Sequence, residues 1–267
     1  MKKNNVSLRE QRILDYLEQK NASTYQDLEN LLQVSSMTAR RDVQRLSKRG
    51  LLVKTLGGAQ RSNAPQFLYE TSLLTRIGVQ RAEKRAIARE ALAFFKANQT
   101  LYLDGSSTSI EFSRLIAKSN IAVTVITNSV MIAMELGQAP KVNVICLGGE
   151  YDAQSACLGG TLTEEDAQKF YVDSAFISTK AFVPEEGTYE SSIGTLRVKQ
   201  LLASRCTKLV LLVDHSKFGQ RALCKVLDIG AIHVVVTDTG APSEALRSLK
   251  KRGCEVVVAS MTPLTGD

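Results

Sequence analysis

The segment from Val34 to Gly58, VSSMTARRDVQRLSKRGLLVKTLGG, constrains this 267-residue chain more than any other. Ser35 is a suitable N-cap for a helix that starts there. In that helix Ala39, Val43 and Leu46 fall at i, i+4 and i+7 and form one apolar stripe. We therefore predict an amphipathic helix whose narrow buried face lies opposite a long polar face.

The polar face of this helix suits the major groove of DNA. There arginine pairs bidentately with guanine, glutamine pairs with adenine, and lysine neutralises phosphate. The alternative is a solvated charged face, which most basic helices have. The candidate DNA contacts on this helix and just after it are Ser36, Met37, Thr38, Arg40, Arg41, Gln44, Arg45, Lys48 and Lys54.

Two segments that precede this helix favour the DNA-binding interpretation. Apolar residues at helical spacing within 8–20 and 24–33 predict two further helices, and Thr24 is placed to cap the second. Only Gln33 and Val34 separate the second helix from the third. Such a short connection is what a helix-turn-helix requires.

A basic hairpin is predicted after the third helix. Gly50 is placed to end that helix, and the run LLVKTLGGAQR contains Gly57-Gly58, a hairpin signal. Residues 1–62 hold 12 Lys and Arg against 6 Asp and Glu, whereas the rest of the chain holds 22 against 21. A basic module joined to a nearly neutral one is typical of proteins that bind a polyanion. We therefore predict a winged helix-turn-helix DNA-binding domain over residues 1–62.

Composition excludes several other classes of protein. No apolar run approaches the roughly 20 residues that span a bilayer, and the N-terminus lacks the apolar core of a signal peptide. Five widely spaced cysteines and two histidines fit neither a disulfide framework nor a zinc site. We expect a cytoplasmic protein without a bound metal or cofactor and without a membrane partner.

From residue 81 onward, short apolar runs alternate with helical patterns. This alternation favours a mostly parallel sheet covered by helices on both faces. We predict one α/β domain over residues 81–267, joined to the first domain by a connection over residues 63–80. Between the third predicted strand and the strand DSAFIS, we expect a long polar loop.

The predicted strand ends form a candidate ligand site. In parallel sheets, ligands bind beyond the carboxyl ends of the strands, and glycines, hydroxyls and helix N-termini there suit an anion. The alternative is that the serines cap helices, the glycines make a tight turn and Lys199 is solvated. The candidate residues are Asp104, Gly105, Ser106, Ser107, Thr108, Thr127, Asn128, Ser129, Gly148, Gly149, Lys199 and Lys217.

The stretch from about Leu8 to Ala59 resembles the N-terminal domain of the DeoR family of bacterial transcriptional regulators. The resemblance lies in the pattern VS-x-x-T-x-RRD followed by GGA. Ala39 stands where the family usually has a larger aliphatic residue. The DGSST, TNS, LGG and DHSKFG segments resemble the sensor domain of the same family, whose fold is similar to that of ribose-5-phosphate isomerase and glucosamine-6-phosphate deaminase.

This resemblance implies a repressor of a carbohydrate operon that is relieved by a phosphorylated sugar. It also implies that the strand-end residues form the effector pocket. The segment Phe176–Ala181 lacks the glycine that the family commonly shows there, so the class of ligand is better defined than its identity. Because helix-turn-helix proteins commonly recognise paired half-sites on double-stranded operator DNA, we expect a homo-oligomer, at least a dimer.

An active isomerase or deaminase with a DNA-binding appendage is the alternative function. Proton abstraction next to a carbonyl requires a positioned base, usually a carboxylate or a histidine. The isomerases have an acidic cluster after the strand that corresponds to DSAFIS, whereas this chain has Ser178-Thr179-Lys180-Ala181 there. Glu185, Glu186 and Glu190 follow in what we expect to be a mobile loop. We therefore predict no catalytic residues and no enzyme activity.

Overall fold

The computed structural model describes residues 2–20, 22–49, 51–54, 57–61, 73–191 and 193–260. The chain divides into two compact units, Met1–Thr71 and Ser72–Asp267. Most of the predicted connection over residues 63–80 lies outside the described residues, and its described end belongs to the second unit. Gly50, the predicted end of the third helix, also lies outside them.

The first unit contains three helices and a small antiparallel sheet. Its elements in chain order are α1 (Lys2–Lys20), β1 (Ala22–Thr24), α2 (Tyr25–Leu32), α3 (Ser36–Lys48), β2 (Leu52–Lys54) and β3 (Gly58–Arg61). Strand β3 lies between β1 and β2 and is antiparallel to both. The winged helix-turn-helix is therefore confirmed, with β1 as an additional strand that the sequence pattern did not predict.

Local signals in the sequence explain these boundaries. Thr24 and Asp27 form a capping box at the start of α2, and Gln33 ends that helix in the left-handed conformation. A side chain at Gly58 would lie 2.0 Å from the backbone oxygen of Ser23, so glycine permits the close pairing of β3 with β1. The core of the unit consists of Ile13, Leu17, Tyr25, Leu28, Leu32, Ala39, Val43, Leu46, Leu52 and Ala59.

The second unit is an α/β domain. Its helices are α4 (Leu73–Gly78), α5 (Arg81–Ala91), α6 (Ser107–Ser119), α7 (Val130–Leu136), α8 (Thr161–Ala167), α9 (Ile193–Ala203) and α10 (Ser243–Lys251). Its strands are β4 (Thr100–Leu103), β5 (Val123–Thr127), β6 (Val142–Cys146), β7 (Glu150–Asp152), β8 (Cys157–Gly159), β9 (Val172–Ile177), β10 (Ala181–Val183), β11 (Gly187–Glu190), β12 (Cys206–Leu212), β13 (Cys224–Asp228), β14 (Val234–Asp238) and β15 (Glu255–Ala259).

Seven of these strands form one parallel sheet in the order β15-β14-β12-β9-β4-β5-β6. Separate apolar cores cover its two faces, one around Phe112 and Phe176 and the other around Tyr102 and Ile177. The predicted parallel sheet with both faces covered is therefore confirmed. The strand order reverses beside β4, which has β5 on one side and β9 on the other, and such a switch point is where ligands bind in open α/β sheets.

Two predictions about the loops are wrong. The expected long polar loop after β6 contains the hairpin β7–β8 and helix α8. The expected mobile loop around Glu190 is strand β11, which lies between β10 and β13 in a second, antiparallel sheet. These strands have only three to five residues each, which is too short for a clear alternation of apolar and polar residues. They form mainly because they pair with neighbouring strands.

Candidate DNA-recognition surface and effector site

Helix α3 presents a polar outer face, as predicted. Ala39, Val43 and Leu46 are buried in the core of the first unit. Four of the predicted contacts, Met37, Arg41, Gln44 and Lys48, are exposed on α3. Among the described residues, the side chains of these four make no hydrogen bond or ion pair. Ser36 and Thr38 are half-buried in the first turn, and Lys54 is exposed on β2.

Two of the predicted DNA contacts, Arg40 and Arg45, interact within their own unit. The guanidinium of Arg40 lies over the ring of Tyr25, 4.6 Å from its centroid. Arg45 pairs with Asp42 and also with Glu10, where Nε lies 3.1 Å from Oε1. These two arginines therefore help to hold α3 against α1 and α2.

Asp42, the last residue of the RRD pattern, has a structural role that the sequence alone does not indicate. Its side chain is fully buried in α3, and it pairs with Arg9 of α1 at 3.1 Å as well as with Arg45. A buried carboxylate is stable only when its oxygens are paired in this way. Asp42 thus fixes α1 against the helix that bears the exposed polar face.

The loop after β4 leads into the N-terminus of α6, at the switch point of the main sheet. Ser106 caps the helix: its hydroxyl accepts a hydrogen bond from the backbone of Ser109 at 3.1 Å. It also donates to Oδ1 of Asp104 at 2.7 Å, and the Ser109 hydroxyl donates to the same oxygen. Gly105 is needed there, because a side chain on it would lie 2.0 Å from Sγ of Cys157.

Ser107 and Thr108 differ from these residues because their hydroxyls remain available. Both lie in the first turn of α6 and are at least nine-tenths buried. Within the described residues, neither hydroxyl makes a hydrogen bond. The first turn of a helix also has backbone N–H groups without intrahelical partners. This turn therefore has the hydrogen-bond donors that an anion requires.

Lys199 is buried between two carboxylates, so the alternative of a solvated lysine does not hold. Its Nζ lies 2.9 Å from Oδ2 of Asp104 and 2.5 Å from Oε1 of Glu190, and it donates to the Ser178 carbonyl at 3.0 Å. Burial opposes the charged forms, yet Lys199 keeps the pKa of Asp104 below its usual value. Likewise, despite burial, Asp104 and Glu190 raise the pKa of Lys199 above its usual value. The ammonium group is thus already neutralised by protein groups.

The polar side chains of the Thr127–Ser129 loop also make hydrogen bonds within the protein. Thr127 donates to the Leu103 carbonyl at 2.8 Å, and the side-chain amide of Asn128 donates to the Leu158 carbonyl at 2.9 Å. Ser129 caps α7. These bonds match the alternative in which the residues build the loops, although the loop lies beside the β4 loop: a side chain on Gly105 would be 3.4 Å from Ser129.

Gly148 and Gly149 form a turn against α8. The Gly148 carbonyl accepts a hydrogen bond from the hydroxyl of Thr163. Gly149 has a φ of +139°, and a side chain there would lie 2.0 Å from the Thr163 hydroxyl. Both glycines are therefore explained by the turn itself. Within the described residues, no hydrogen bond joins them to Ser107 or Lys217.

Lys217 ends a short helical turn, His215–Lys217, that follows β12 and is capped by Asp214. It is half-buried at the same sheet edge as Ser107, two strands away, which is about 10 Å at the usual strand spacing. Burial lowers the pKa of the neighbouring Lys84 to about 8, and the charge of Lys217 contributes to that fall. The carboxylate of Asp214 opposes that fall, so groups of both charges lie at this part of the edge.

Other kinds of site are missing from the part of the chain that the structure describes. None of its His, Cys, Asp and Glu side chains form a group of three or more that could hold a metal ion. None of its helices combines the length and apolar character needed to cross a membrane.

Comparison with known proteins places both units. Residues 9–64 match the DeoR-like helix-turn-helix domain, and residues 79–239 match the DeoR C-terminal sensor domain. The chain is 33% identical to the HTH-type transcriptional regulator GolR of Listeria innocua, over 94% of this chain and 98% of that protein. Fold, recognition helix and sensor domain together define a transcriptional regulator. The chain belongs to the DeoR family.

Other relatives align over most of their length. A putative aga operon transcriptional repressor of Escherichia coli O157:H7 is 28% identical, over 95% of this chain and 94% of that protein. An L-fucose operon activator of Haemophilus influenzae is 30% identical, over 89% of this chain and 94% of that protein. Among solved structures, ribose 5-phosphate isomerase A of Neisseria gonorrhoeae aligns with a TM-score of 0.40 at 17% identity, over 52% of this chain and 53% of that chain. That likeness is too weak to support a statement about function.

Proposed function

We propose that this regulator is a repressor whose sensor domain binds a phosphorylated sugar and then releases operator DNA. The observation that supports the sensing role best is the first turn of α6. Ser107 and Thr108 are buried residues whose hydroxyls have no hydrogen-bond partner among the described residues, and the turn has unpaired backbone donors at the switch point of the sheet. Two relatives are named for operon control, and one of those operons is for the sugar L-fucose.

The phosphate of the effector binds at Ser107 and Thr108, and Lys217 supplies a positive charge. Lys199 serves to order the loop rather than to bind the phosphate, because Asp104 and Glu190 already neutralise it. A phosphate ester offers oxygen acceptors, whereas an unphosphorylated sugar lacks the charge that a helix N-terminus favours. The phosphorylated form is therefore the better ligand.

DNA binding by two copies completes the proposal. Operator half-sites related by two-fold symmetry match a dimer, so the protein acts as a homodimer or a larger closed assembly in the cytoplasm, where the chromosome lies. Arg41, Gln44 and Met37 face the bases, while Lys48 and Lys54 meet phosphates.

A screen of sugar phosphates by thermal shift tests the sensing role. The panel is ribose 5-phosphate, glucose 6-phosphate, fructose 6-phosphate and glucosamine 6-phosphate, each beside its unphosphorylated sugar. A ligand at 100 times its dissociation constant adds about 2.7 kcal/mol of stability, which a melting curve detects. We expect at least one phosphate to bind and its free sugar to bind far less. Equal binding of free sugar and phosphate would contradict the proposal.

The same incubations separate a regulator from an isomerase or deaminase. The nearby buried carboxylates of Asp104 and Glu190 are both paired with Lys199, so neither is an available base. We expect recovery of every sugar phosphate unchanged by NMR. Turnover that is lost on Asp104→Asn would instead establish the enzyme function.

A further inference from the structure

A row of side chains outside the effector candidates joins β14 to the start of α5. Nδ1 of His215 lies 2.8 Å from Oδ2 of Asp238, and the His215 backbone N–H donates to Oδ1 at 2.8 Å. On the other side of the ring, Nε2 lies 3.3 Å from the side-chain amide of Gln80. Glu83 lies on the far side of that amide. We call Asp238, His215, Gln80 and Glu83 the Gln80 relay.

The imidazole in this relay is held in place rather than solvated. Two-thirds of the His215 side chain is buried, with an exposed fraction of 33%. A side chain on Gly240 would lie 2.7 Å from the ring, so the backbone of Gly240 packs directly against it. Gln80 has a φ of +50°, a conformation that non-glycine residues adopt only when their surroundings impose it.

All donors and acceptors of the relay have partners only when His215 is charged. The Asp238 carboxylate can only accept, so Nδ1 bears a proton. If Nε2 has none, it needs the nitrogen of the Gln80 amide, and the amide oxygen then faces the carboxylate of Glu83. If Nε2 also bears a proton, the amide oxygen accepts it at 3.3 Å, and the amide nitrogen donates to Glu83 at 3.2 and 3.3 Å.

The relay joins the turn that bears Lys217 to the segment 73–80, which directly precedes α5. His215 is in the same short turn as Lys217. Gln80 ends the segment 73–80, which includes α4. This segment is fastened in two further places: Lys84 donates to the Arg76 carbonyl at 2.7 Å and to that of Val79, and the Leu73 N–H donates to the Gln154 carbonyl at 2.8 Å.

We propose that the Gln80 relay transmits effector occupancy to the segment 73–80. This inference rests on the proposed effector site. An anion held by the first turn of α6 and Lys217 favours the charged imidazole, because an opposite charge nearby stabilises the ionised form. The charged imidazole completes the relay and fixes Gln80, and a ligand shifts an equilibrium only through such a difference between states. The other ionisable groups on the elements around the ring are Asp214 and Lys217 on its own turn and, on α5, Arg81, Lys84, Arg85, Arg89 and Glu90.

Because the chain has two histidines, a matched control is available. His233 accepts a hydrogen bond from the Leu209 backbone at 3.0 Å, at the opposite end of β14. We would compare His215→Gln and Gln80→Ala with His233→Gln. Operator affinity is measured by fluorescence anisotropy with and without each of the four sugar phosphates, and ligand binding is measured by thermal shift.

With a sugar phosphate that shifts the wild type, we expect operator affinity to fall about tenfold or more, within the usual range of allosteric coupling. His215→Gln and Gln80→Ala should keep the thermal shift and the ligand-free operator affinity, yet lose most of that fall. His233→Gln should behave as the wild type. If the sugar phosphate lowered the operator affinity of His215→Gln as much as that of the wild type, the proposal would be overturned. Loss of its thermal shift would also overturn it, since His215 would then be a direct ligand contact.

A titration with inorganic phosphate, without any sugar phosphate, tests the relay independently of the proposed effector. Protein labelled with ¹⁵N at histidine gives ring signals from two residues, which the variants assign. Inorganic phosphate should move the His215 ring signals toward the charged form and leave those of His233 unchanged. Should no sugar phosphate bind, this titration still decides the relay. Unchanged His215 signals at a phosphate concentration that shifts the melting temperature would refute it.

Discussion

At the scale of single residues, neighbouring polar side chains at the β4 strand end have different tasks. The oxygens of Asp104 accept hydrogen bonds from Ser106, Ser109 and the Ser178 backbone and pair with Lys199, so this carboxylate is fully used inside the protein. The hydroxyl of Ser107, by contrast, has no hydrogen-bond partner among the described residues. Burial alone therefore does not distinguish a residue that holds the loop together from one whose hydroxyl remains free to bind a ligand.

The exposed face of α3 gives a prediction about DNA recognition. Arg41→Ala should weaken binding to the operator by about 1–3 kcal/mol, and binding to random duplex far less, because a bidentate base contact is lost. Gln44→Ala should act in the same way. Lys48→Ala should weaken both kinds of binding equally and flatten the salt dependence. Titration of both duplexes at several salt concentrations measures each effect.

Arg45→Ala is the matched control for Arg41→Ala. Because Arg45 pairs with Asp42 and Glu10, its loss should lower the melting temperature of the first unit as well as operator affinity. Arg41→Ala should leave the melting temperature unchanged. Operator discrimination that survives Arg41→Ala would show that another face of α3 meets the bases.

Lys84 gives a prediction about pH. Burial lowers its pKa to about 8 in the folded protein, whereas the unfolded chain keeps the ordinary value of 10.5. Between these two values the unfolded state binds more protons, so the Lys84 contribution to stability rises with pH, by at most about 1.4 kcal/mol per unit. The unfolding free energies of the wild type and of Lys84→Met, measured with urea, should therefore diverge between pH 8 and 10.5. The exposed Lys118→Met is the control, and its unfolding free energy should change with pH as that of the wild type does. If Lys84→Met also followed the wild type over this pH range, the lowered pKa of Lys84 would be contradicted.

At the scale of elements, Lys199 joins four parts of the second unit. It lies on α9 and contacts Asp104 after β4, Ser178 after β9 and Glu190 at the end of β11. Lys199→Met removes the ammonium that balances two buried carboxylates, and such losses typically cost about 3–5 kcal/mol. We expect a large fall in unfolding free energy by urea, against almost none for the exposed Lys251→Met.

Neutralising the carboxylates provides a check on this assignment. The triple variant Lys199→Met, Asp104→Asn, Glu190→Gln should recover part of the loss, because the two carboxylate charges are removed together with the ammonium that balances them. If the triple variant were no more stable than Lys199→Met alone, packing rather than charge would explain the effect.

Sequence predicts best those elements in which apolar residues recur at a regular spacing. Helix α3 and the long strands of the main sheet follow from spacing alone, because one face or both faces are apolar over several turns or pleats. Strands β1 and β11 are too short for such a signal and exist through pairing with distant strands. The sequence does not reveal the partners of Lys199 either, because Asp104 is 95 positions away and Glu190 lies on one of these short strands.

At the scale of the whole molecule, the two units act together only if the effector favours one state over the other. A coupling of about 1–3 kcal/mol is typical of such regulators. For paired recognition helices, we predict two operator half-sites whose centres are about 10–10.5 base pairs, or a multiple of that spacing, apart. Inserting half a helical turn between them should abolish tight binding in a gel-shift assay. Undiminished binding would indicate that one half-site suffices.

Operator release by Ser107→Asp tests most directly whether the phosphate of the effector binds at the first turn of α6. This substitution places a carboxylate in the first turn of α6, where the phosphate of the effector is expected to bind, and like charges exclude each other there. Anisotropy with labelled operator is measured with and without the sugar phosphate that stabilises the wild type. The account predicts wild-type operator affinity for Ser107→Asp, with neither release nor a thermal shift on adding that compound. Full release of Ser107→Asp by the sugar phosphate would contradict it.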